Sequence, residues 1–266
     1  MKKALLIIAT IIVVVLIALD ITSIILYARQ NIENPVATIK FEGYEEPVVI
    51  ELYPEYAENT VTNFIALANN EFYNGLKIHR VEESLIQGGD PKGDGTGSPT
   101  LSNIDPNIED GSDEDEEYAI PGEFIDNGYY NNTLAFDRGV IGMARGDYST
   151  YSSSLKDESY NSAGSQFFIL TENLTSLNGS YAAFGKVLSG MDTVDAISKV
   201  ETAVDEETDE ETGEVTTEET TRPATDVIIE SITIDTKGRE YGIPETNEVF
   251  DYTSWYMSKY YSQTSS

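Results

Sequence analysis

Short apolar runs bounded by turn-forming residues recur along most of this chain, and they limit its fold more than any other feature. Residues 36–41 and 48–53 have the period-2 pattern of strands and flank a glycine-containing turn, which is the signal of a hairpin. Further runs follow at 76–81, 140–144, 166–170 and 182–187, each separated from the next by turn residues. Residues 227–234 alternate again. Only two stretches have helical spacing. Val61, Phe64, Ile65 and Ala68 share one face of a helix, with Asn59 or Thr60 as its N-cap, and a second short helix is expected over 191–200. Many short strands with two helices predict a mainly β fold, a closed antiparallel barrel.

An apolar fraction of 40% is enough for a genuine core. The chain has no cysteine, which removes disulfides, thiolate zinc sites, cysteine nucleophiles and a lipid-modified cysteine. Its one histidine, His79, rules out a multi-histidine metal site. Asp105, Asn107, Glu109 and Glu116 match a calcium-loop spacing only in part. The glycine is displaced and no flanking helices are evident, so neither metal nor cofactor is expected. A net charge of −31 argues against nucleic acid as a partner and against docking of the folded domain on anionic lipid. Carboxylates concentrate in two runs, 105–117 and 205–219, which read as solvated loops.

The N-terminus reads as an address. Lys2 and Lys3 precede an uncharged apolar run over 4–19 that resumes after Asp20 and continues to Tyr27. As a helix, residues 4–27 would span about 36 Å, more than the roughly 30 Å hydrocarbon core. A cleaved signal peptide is the alternative, but no convincing small-residue cleavage site follows. The expected arrangement is a single-pass transmembrane helix over 1–28, with its N-terminus in the cytoplasm and the rest outside. A linker over 29–35 would join it to the folded domain. Secretion after signal cleavage remains the other possibility.

Several segments in the middle of the chain carry a resemblance. Residues 72–81 include Ile78-His79-Arg80, and 87–97 include Gln87-Gly88-Gly89-Asp90. They are followed by Gly139-Val140-Ile141-Gly142-Met143-Ala144-Arg145, by Ser162-Ala163-Gly164-Ser165-Gln166-Phe167-Phe168, and by Leu177-Asn178-Gly179 with Tyr181-Ala182-Ala183-Phe184-Gly185. In this order they resemble the cyclophilin-type peptidyl-prolyl cis/trans isomerases over residues 36–236. The resemblance implies an eight-stranded barrel capped by two helices, with acidic insertions near 103–118 and 201–221. Residues 237–266 form a C-terminal tail in which no pattern points to a role.

Carried over residue by residue, the resemblance implies that Arg80, Gln87 and Phe168 are catalytic. Arg80 would be the essential guanidinium, Gln87 its support, and Phe168 the lining of a proline pocket walled by Leu85 and Leu177. Ala144, Arg145 and Gln166 would lie along the groove for residues preceding the proline, with His79 and Tyr181 near the pocket. Outside its motif Arg80 would read as a surface ion-pair residue, and His79 has a structural reading because the reaction needs no base. Four departures stand out. Ile78 stands where the family has phenylalanine before the His-Arg pair. The segment between Arg80 and Gln87 is one residue short and lacks the family's aromatic, so Ser84 or Leu85 must replace it. Ser176 stands where the family has tryptophan or histidine. Residues 147–160 form an extra polar insertion beside the groove. The implied partners are proline-containing unfolded or exported polypeptides, with the membrane engaged through the N-terminal helix. A cyclophilin-like peptide-binding module of low turnover is the alternative function.

Overall fold

The computed structural model describes residues 14, 15, 17, 33–208 and 215–264. The chain divides into two units, Met1–Asn34 and Pro35–Ser266. The expected membrane span lies outside the described residues except for Val14, Val15 and Ile17, which are helical. Among the described residues no helix is long and apolar enough to cross a membrane.

In chain order the strands are β1 (Val36–Phe41), β2 (Val48–Leu52), β3 (Lys77–Glu82), β4 (Leu85–Asp90), β5 (Tyr118–Ala119) and β6 (Val140–Met143). They continue as β7 (Phe167–Leu170), β8 (Ala183–Ser189), β9 (Thr202–Thr208), β10 (Val215–Pro223), β11 (Val227–Asp235) and β12 (Asn247–Glu248). Eight of them close into a barrel in the order β1-β11-β3-β4-β7-β6-β8-β2. Period-2 alternation places Ala37, Ile39 and Phe41 of β1 and Val48, Ile50 and Leu52 of β2 in the core, while the intervening residues stay partly or fully exposed. Closure leaves this sheet no free edge.

The helices are α1 (Glu58–Asn69), α2 (Lys156–Tyr160), α3 (Met191–Ile197) and α4 (Tyr252–Thr264). Val61, Phe64, Ile65 and Ala68 of α1 are all buried, as their spacing predicts. Phe64 meets Tyr73, Phe167 and Phe184 at centroid distances of 5.2, 5.7 and 5.3 Å. The start of α1 corrects the sequence reading, because Asn59 and Thr60 lie inside the first turn and the cap position is Ala57, which has no side-chain acceptor. The buried carboxylate of Glu123 takes over that role. It accepts from the Asn59 and Thr60 backbone N–H groups at 3.0 and 2.7 Å and from the Thr60 hydroxyl at 2.7 Å. A negative group at a helix N-terminus satisfies donors that the helix itself cannot.

The second acidic run also differs from expectation. Its described residues, 205–208 and 215–219, are strands rather than a solvated loop: β9 and β10 pair antiparallel, with Glu218 opposite Asp205 and Glu219 opposite Val204. Threonine and valine recur in both arms and favour extended backbone despite the carboxylates around them. Arg222 ties the arms together by an ion pair with Asp205 at 2.8 Å. The first acidic run is a series of turns held by Asp115, whose carboxylate accepts from the Ser102 and Gly111 N–H groups at 2.8 and 2.9 Å.

Candidate active site

Arg80 and Gln87 face each other across β3 and β4. Between the Ile78–Gly88 and Arg80–Gln87 pairs, β3 advances two residues while β4 advances one, so His79 is the extra residue of a bulge. Arg80 Nη1 donates to Gln87 Oε1 at 3.1 Å, and Arg80 Nε donates to Glu82 Oε1 at 2.9 Å. Nη2 donates to the same carboxylate oxygen. A guanidinium only donates, so Gln87 turns its oxygen toward Arg80 and its amide nitrogen away. That nitrogen donates to Gln166 Oε1 at 3.0 Å. Gln166 in turn donates to the Gly95 and Gly97 carbonyls at 3.0 and 3.2 Å. The relay runs in one direction, from the cation through two amides to the loop after β4. It fixes a side chain that is still 41% exposed.

Beside this guanidinium lies a cavity of about 400 Å³. Phe168, opposite Gln87 across β4 and β7, lines it and is 4% exposed. Its ring stacks on Phe136 at 5.6 Å and meets Tyr181 edge-on at 5.9 Å. Gly142 permits this packing, since a Cβ there would fall 2.5 Å from Phe168 and 2.6 Å from Phe136. Phe136 is held by Asn178 Oδ1, which accepts its N–H at 2.8 Å, and its carbonyl accepts from the Leu174 N–H at 2.8 Å. The same segment brings Leu174 and Leu177 to the cavity wall, and Leu85 closes it from β4. The short connection between β3 and β4 is thus resolved in favour of Leu85, 7% exposed in the wall, with Ser84 at the rim. Ser176 is exposed.

A larger cavity, about 770 Å³, shares Gln87, Ala144 and Arg145 with the first and continues past Gln166. Arg145 is locked in place. Its guanidinium lies 4.5, 5.0 and 5.6 Å from the ring centroids of Tyr181, Tyr160 and Phe124. It also donates to the Ser180 and Gly146 carbonyls, each at 3.1 Å. Eight of the ten residues expected from sequence, Arg80, Leu85, Gln87, Ala144, Arg145, Phe168, Leu177 and Tyr181, therefore border the smaller cavity, and Gln166 borders the larger one.

His79 is the exception. It lines an adjoining cavity of about 320 Å³, which shares Arg80 and Gln87 with the one beside Phe168 and lies between the loop at 93–95 and the β9–β10 hairpin. Neither ring nitrogen has a hydrogen-bond partner, and burial pushes its pKa below the ordinary value, with Asp90 opposing that shift. Sequence reasoning also missed Glu82 and Leu174. Glu82 had a usable signal: an opposite charge two residues after Arg80 on a strand must share its face. Leu174 is brought in by a loop, and no periodicity marks it.

The comparisons with known proteins agree with this geometry. The family model described as "Cyclophilin type peptidyl-prolyl cis-trans isomerase/CLD" matches residues 36–234. Peptidyl-prolyl cis-trans isomerase B of Bacillus subtilis is 36% identical over 146 residues, covering 54% of this chain and 78% of that protein. Peptidyl-prolyl cis-trans isomerase-like 3 of Rattus norvegicus is 30% identical over 188 residues, covering 70% of this chain and 89% of that one. In fold the chain is similar to a Cryptosporidium parvum cyclophilin-type isomerase, with a TM-score of 0.53 at 24% identity, covering 76% of this chain and 98% of that chain. With the barrel, the cavity beside Arg80 and these relatives in agreement, the chain belongs to the cyclophilin-type peptidyl-prolyl cis/trans isomerases.

Proposed function

We propose that this chain accelerates cis/trans isomerisation of Xaa-Pro bonds in exported or unfolded polypeptides outside the membrane, with Arg80 as the group that lowers the barrier. Rotation about a peptide bond costs about 18–20 kcal/mol because the C–N bond has partial double-bond character. The two isomers of an Xaa-Pro bond differ little in energy, so only the barrier needs lowering, and no nucleophile or cofactor is required. As the amide twists, the prolyl nitrogen loses conjugation and gains a lone pair. A donor fixed beside that nitrogen stabilises the twisted state more than the planar one, which is the condition for catalysis. The observation that carries this reading is the clamp on Arg80. Three of its donor contacts go to Glu82 and Gln87, and the cation borders the cavity lined by Phe168, Leu85, Leu174 and Leu177. A solved relative was determined in the presence of the dipeptide Ala-Pro, in keeping with a proline-containing ligand. Support for the location is the sequence alone: Lys2, Lys3 and the apolar span that follows.

The test measures kcat/KM on one Xaa-Pro peptide for the wild type, Arg80→Ala and Arg80→Lys. Loss of a preorganised charged donor is worth about 2.7–4 kcal/mol, so Arg80→Ala should lose roughly 10²–10³ in rate. Arg80→Lys should recover little, because an ammonium lacks the planar fork that Glu82 and Gln87 engage. A well-folded, fully active Arg80→Ala protein would refute the mechanism. For the location, protease added to intact cells should digest the domain while the membrane fraction retains the 4–27 segment. A soluble mature protein starting near residue 30 would replace the anchor by secretion.

A further inference from the structure

His79 stands at both ends of the relay that fixes Arg80. In sequence it is the neighbour of Arg80 and the extra residue of the β3 bulge. In space its ring packs against the loop where the relay ends. A Cβ on Gly95 would lie 3.9 Å from His79 Nε2, and the Gly95 carbonyl accepts from Gln166 at 3.0 Å. The path from the guanidinium through Gln87, Gln166 and Gly95 therefore returns to the residue beside Arg80. The imidazole is 9% exposed, and it lines its cavity with neither nitrogen bonded.

The carboxylates around that ring, Asp90, Asp94 and Asp205, are already engaged. Asp90, buried at the end of β4, holds the loop. One of its oxygens accepts from the Lys92 N–H at 2.9 Å, and the other accepts from the Asp94 and Gly95 N–H groups. Asp94 accepts from the Thr96 N–H and hydroxyl at 2.9 and 2.7 Å. On the hairpin side of the cavity Asp205 pairs with Arg222 at 2.8 Å. The cations bordering the cavity are Arg80 and Arg222. A neutral imidazole leaves these contacts alone. An imidazolium carries a charge and two donors, and a buried charge needs acceptors. The acceptors here are the groups that hold the loop and the hairpin.

We infer that His79 is a positioning residue whose neutral form keeps the relay in place, and that its protonation loosens Arg80 and lowers turnover. The inference rests on Arg80 as the group that lowers the barrier. Burial lowers the His79 pKa, Asp90 and Asp94 oppose that shift, and Arg80 adds to it. The neutral form therefore persists below the ordinary imidazole value of about 6.5, and turnover should fall as the pH drops through the lowered value. Bond rotation transfers no proton, so acid sensitivity in this range reports positioning. His79 is the only histidine, and Glu123 is a carboxylate that burial raises toward the same range.

The experiment follows kcat/KM on one Xaa-Pro peptide, with the His79 ring signal read by NMR, for the full chain from about pH 8 down to about pH 5. Turnover should fall about ten-fold, a partial loss of a donor worth roughly 10²–10³ in rate, and the fall should lie in kcat rather than KM. Its midpoint should match the ring titration, and the Arg80 Nε and Gln166 amide signals should shift with it. His79→Gln, neutral throughout, should give a flat profile. Asp94→Asn should move the midpoint to lower pH, and Glu123→Gln should leave it in place. Unfolding midpoints at each pH separate loosened side chains from lost structure. A flat wild-type profile, relay signals that ignore the ring titration, an acid loss that survives His79→Gln, or one that tracks unfolding would overturn the inference. The Arg80→Ala comparison is made at about pH 7.5, where His79 is neutral, so the proposed function and this inference fail separately.

Discussion

The two connected cavities are built in different ways. The smaller one is set by strand register. Arg80, Gln87 and Phe168 stand opposite one another across β3, β4 and β7, and a single bulge sets how Arg80 is presented. The larger one is completed by an insertion and a tail that meet through ring contacts, the tail being paired with β5 by one short strand. Register leaves side chains little freedom, because a slip of one residue would reverse every face. A wall of loops can change residue by residue without disturbing the barrel. In this molecule the cavity beside Arg80 is therefore set by the barrel, and the outer wall of the larger cavity is separable from it.

Equivalent truncations in the two regions should expose that contrast. Phe168→Ala removes a ring that is 4% exposed and packed on Phe136 and Tyr181, and should cost about 3–5 kcal/mol in thermal or denaturant unfolding. Phe250→Ala, partly exposed in the outer wall, should cost well under half of that. Equal costs would break the distinction. A smaller effect is expected at the anchor of the tail. Asn59→Ala deletes both side-chain bonds to Glu245 and should cost about 1–2 kcal/mol by the same measurement. It should leave the Arg80–Gln87–Gln166 relay in place. A variant as stable as the wild type would show that the outer wall does not depend on that anchor.

The smallest effect concerns pH. Burial holds the His79 pKa below its unfolded value of about 6.5, and the nearby Arg80 acts in the same direction. Stability from the neutral imidazole is fully present above about pH 6.5 and declines as the pH falls through the lowered folded-state value, because the unfolded chain then binds the extra proton. His79→Phe should flatten the stability profile in that window, read as unfolding midpoints measured from pH 7 downward. An unchanged slope would mean that other groups govern it.

These contrasts also explain what could be read in the sequence. Period-2 alternation marked β1, β2 and β11, and contiguous motifs marked Arg80, Gln87, Phe168 and Gln166, because both kinds of signal are local. β4 was obscured by Gly88 and Gly89, which weaken any strand pattern. Gly89 is required there: its φ is +85°, and a Cβ would lie 2.5 Å from the Ser165 carbonyl oxygen. The cap of α1 was misplaced because its acceptor, Glu123, lies 63 positions from Thr60. The β9–β10 hairpin was hidden under its carboxylates, and the face taken by His79 was not legible because one inserted residue changes it. The tail defeated local reasoning most completely, since Glu245 and its partner Asn59 are 186 residues apart.

The closure of the barrel has a consequence in time. β1 lies between β2 and β11, and Val36 pairs with Asp235, so the first strand of the domain waits for nearly the last. A chain emerging N-terminus first can form the β1–β2 hairpin early, but it leaves one side of β1 open until β11 has been delivered. Until then the future interior, including the Phe64–Phe167–Phe184 cluster, is incomplete, because two of its rings lie on β7 and β8. Folding is therefore expected as one late, cooperative event near the end of delivery rather than as stepwise growth. The segments before β1 and after β11 leave the barrel from the same end of the same strand pair.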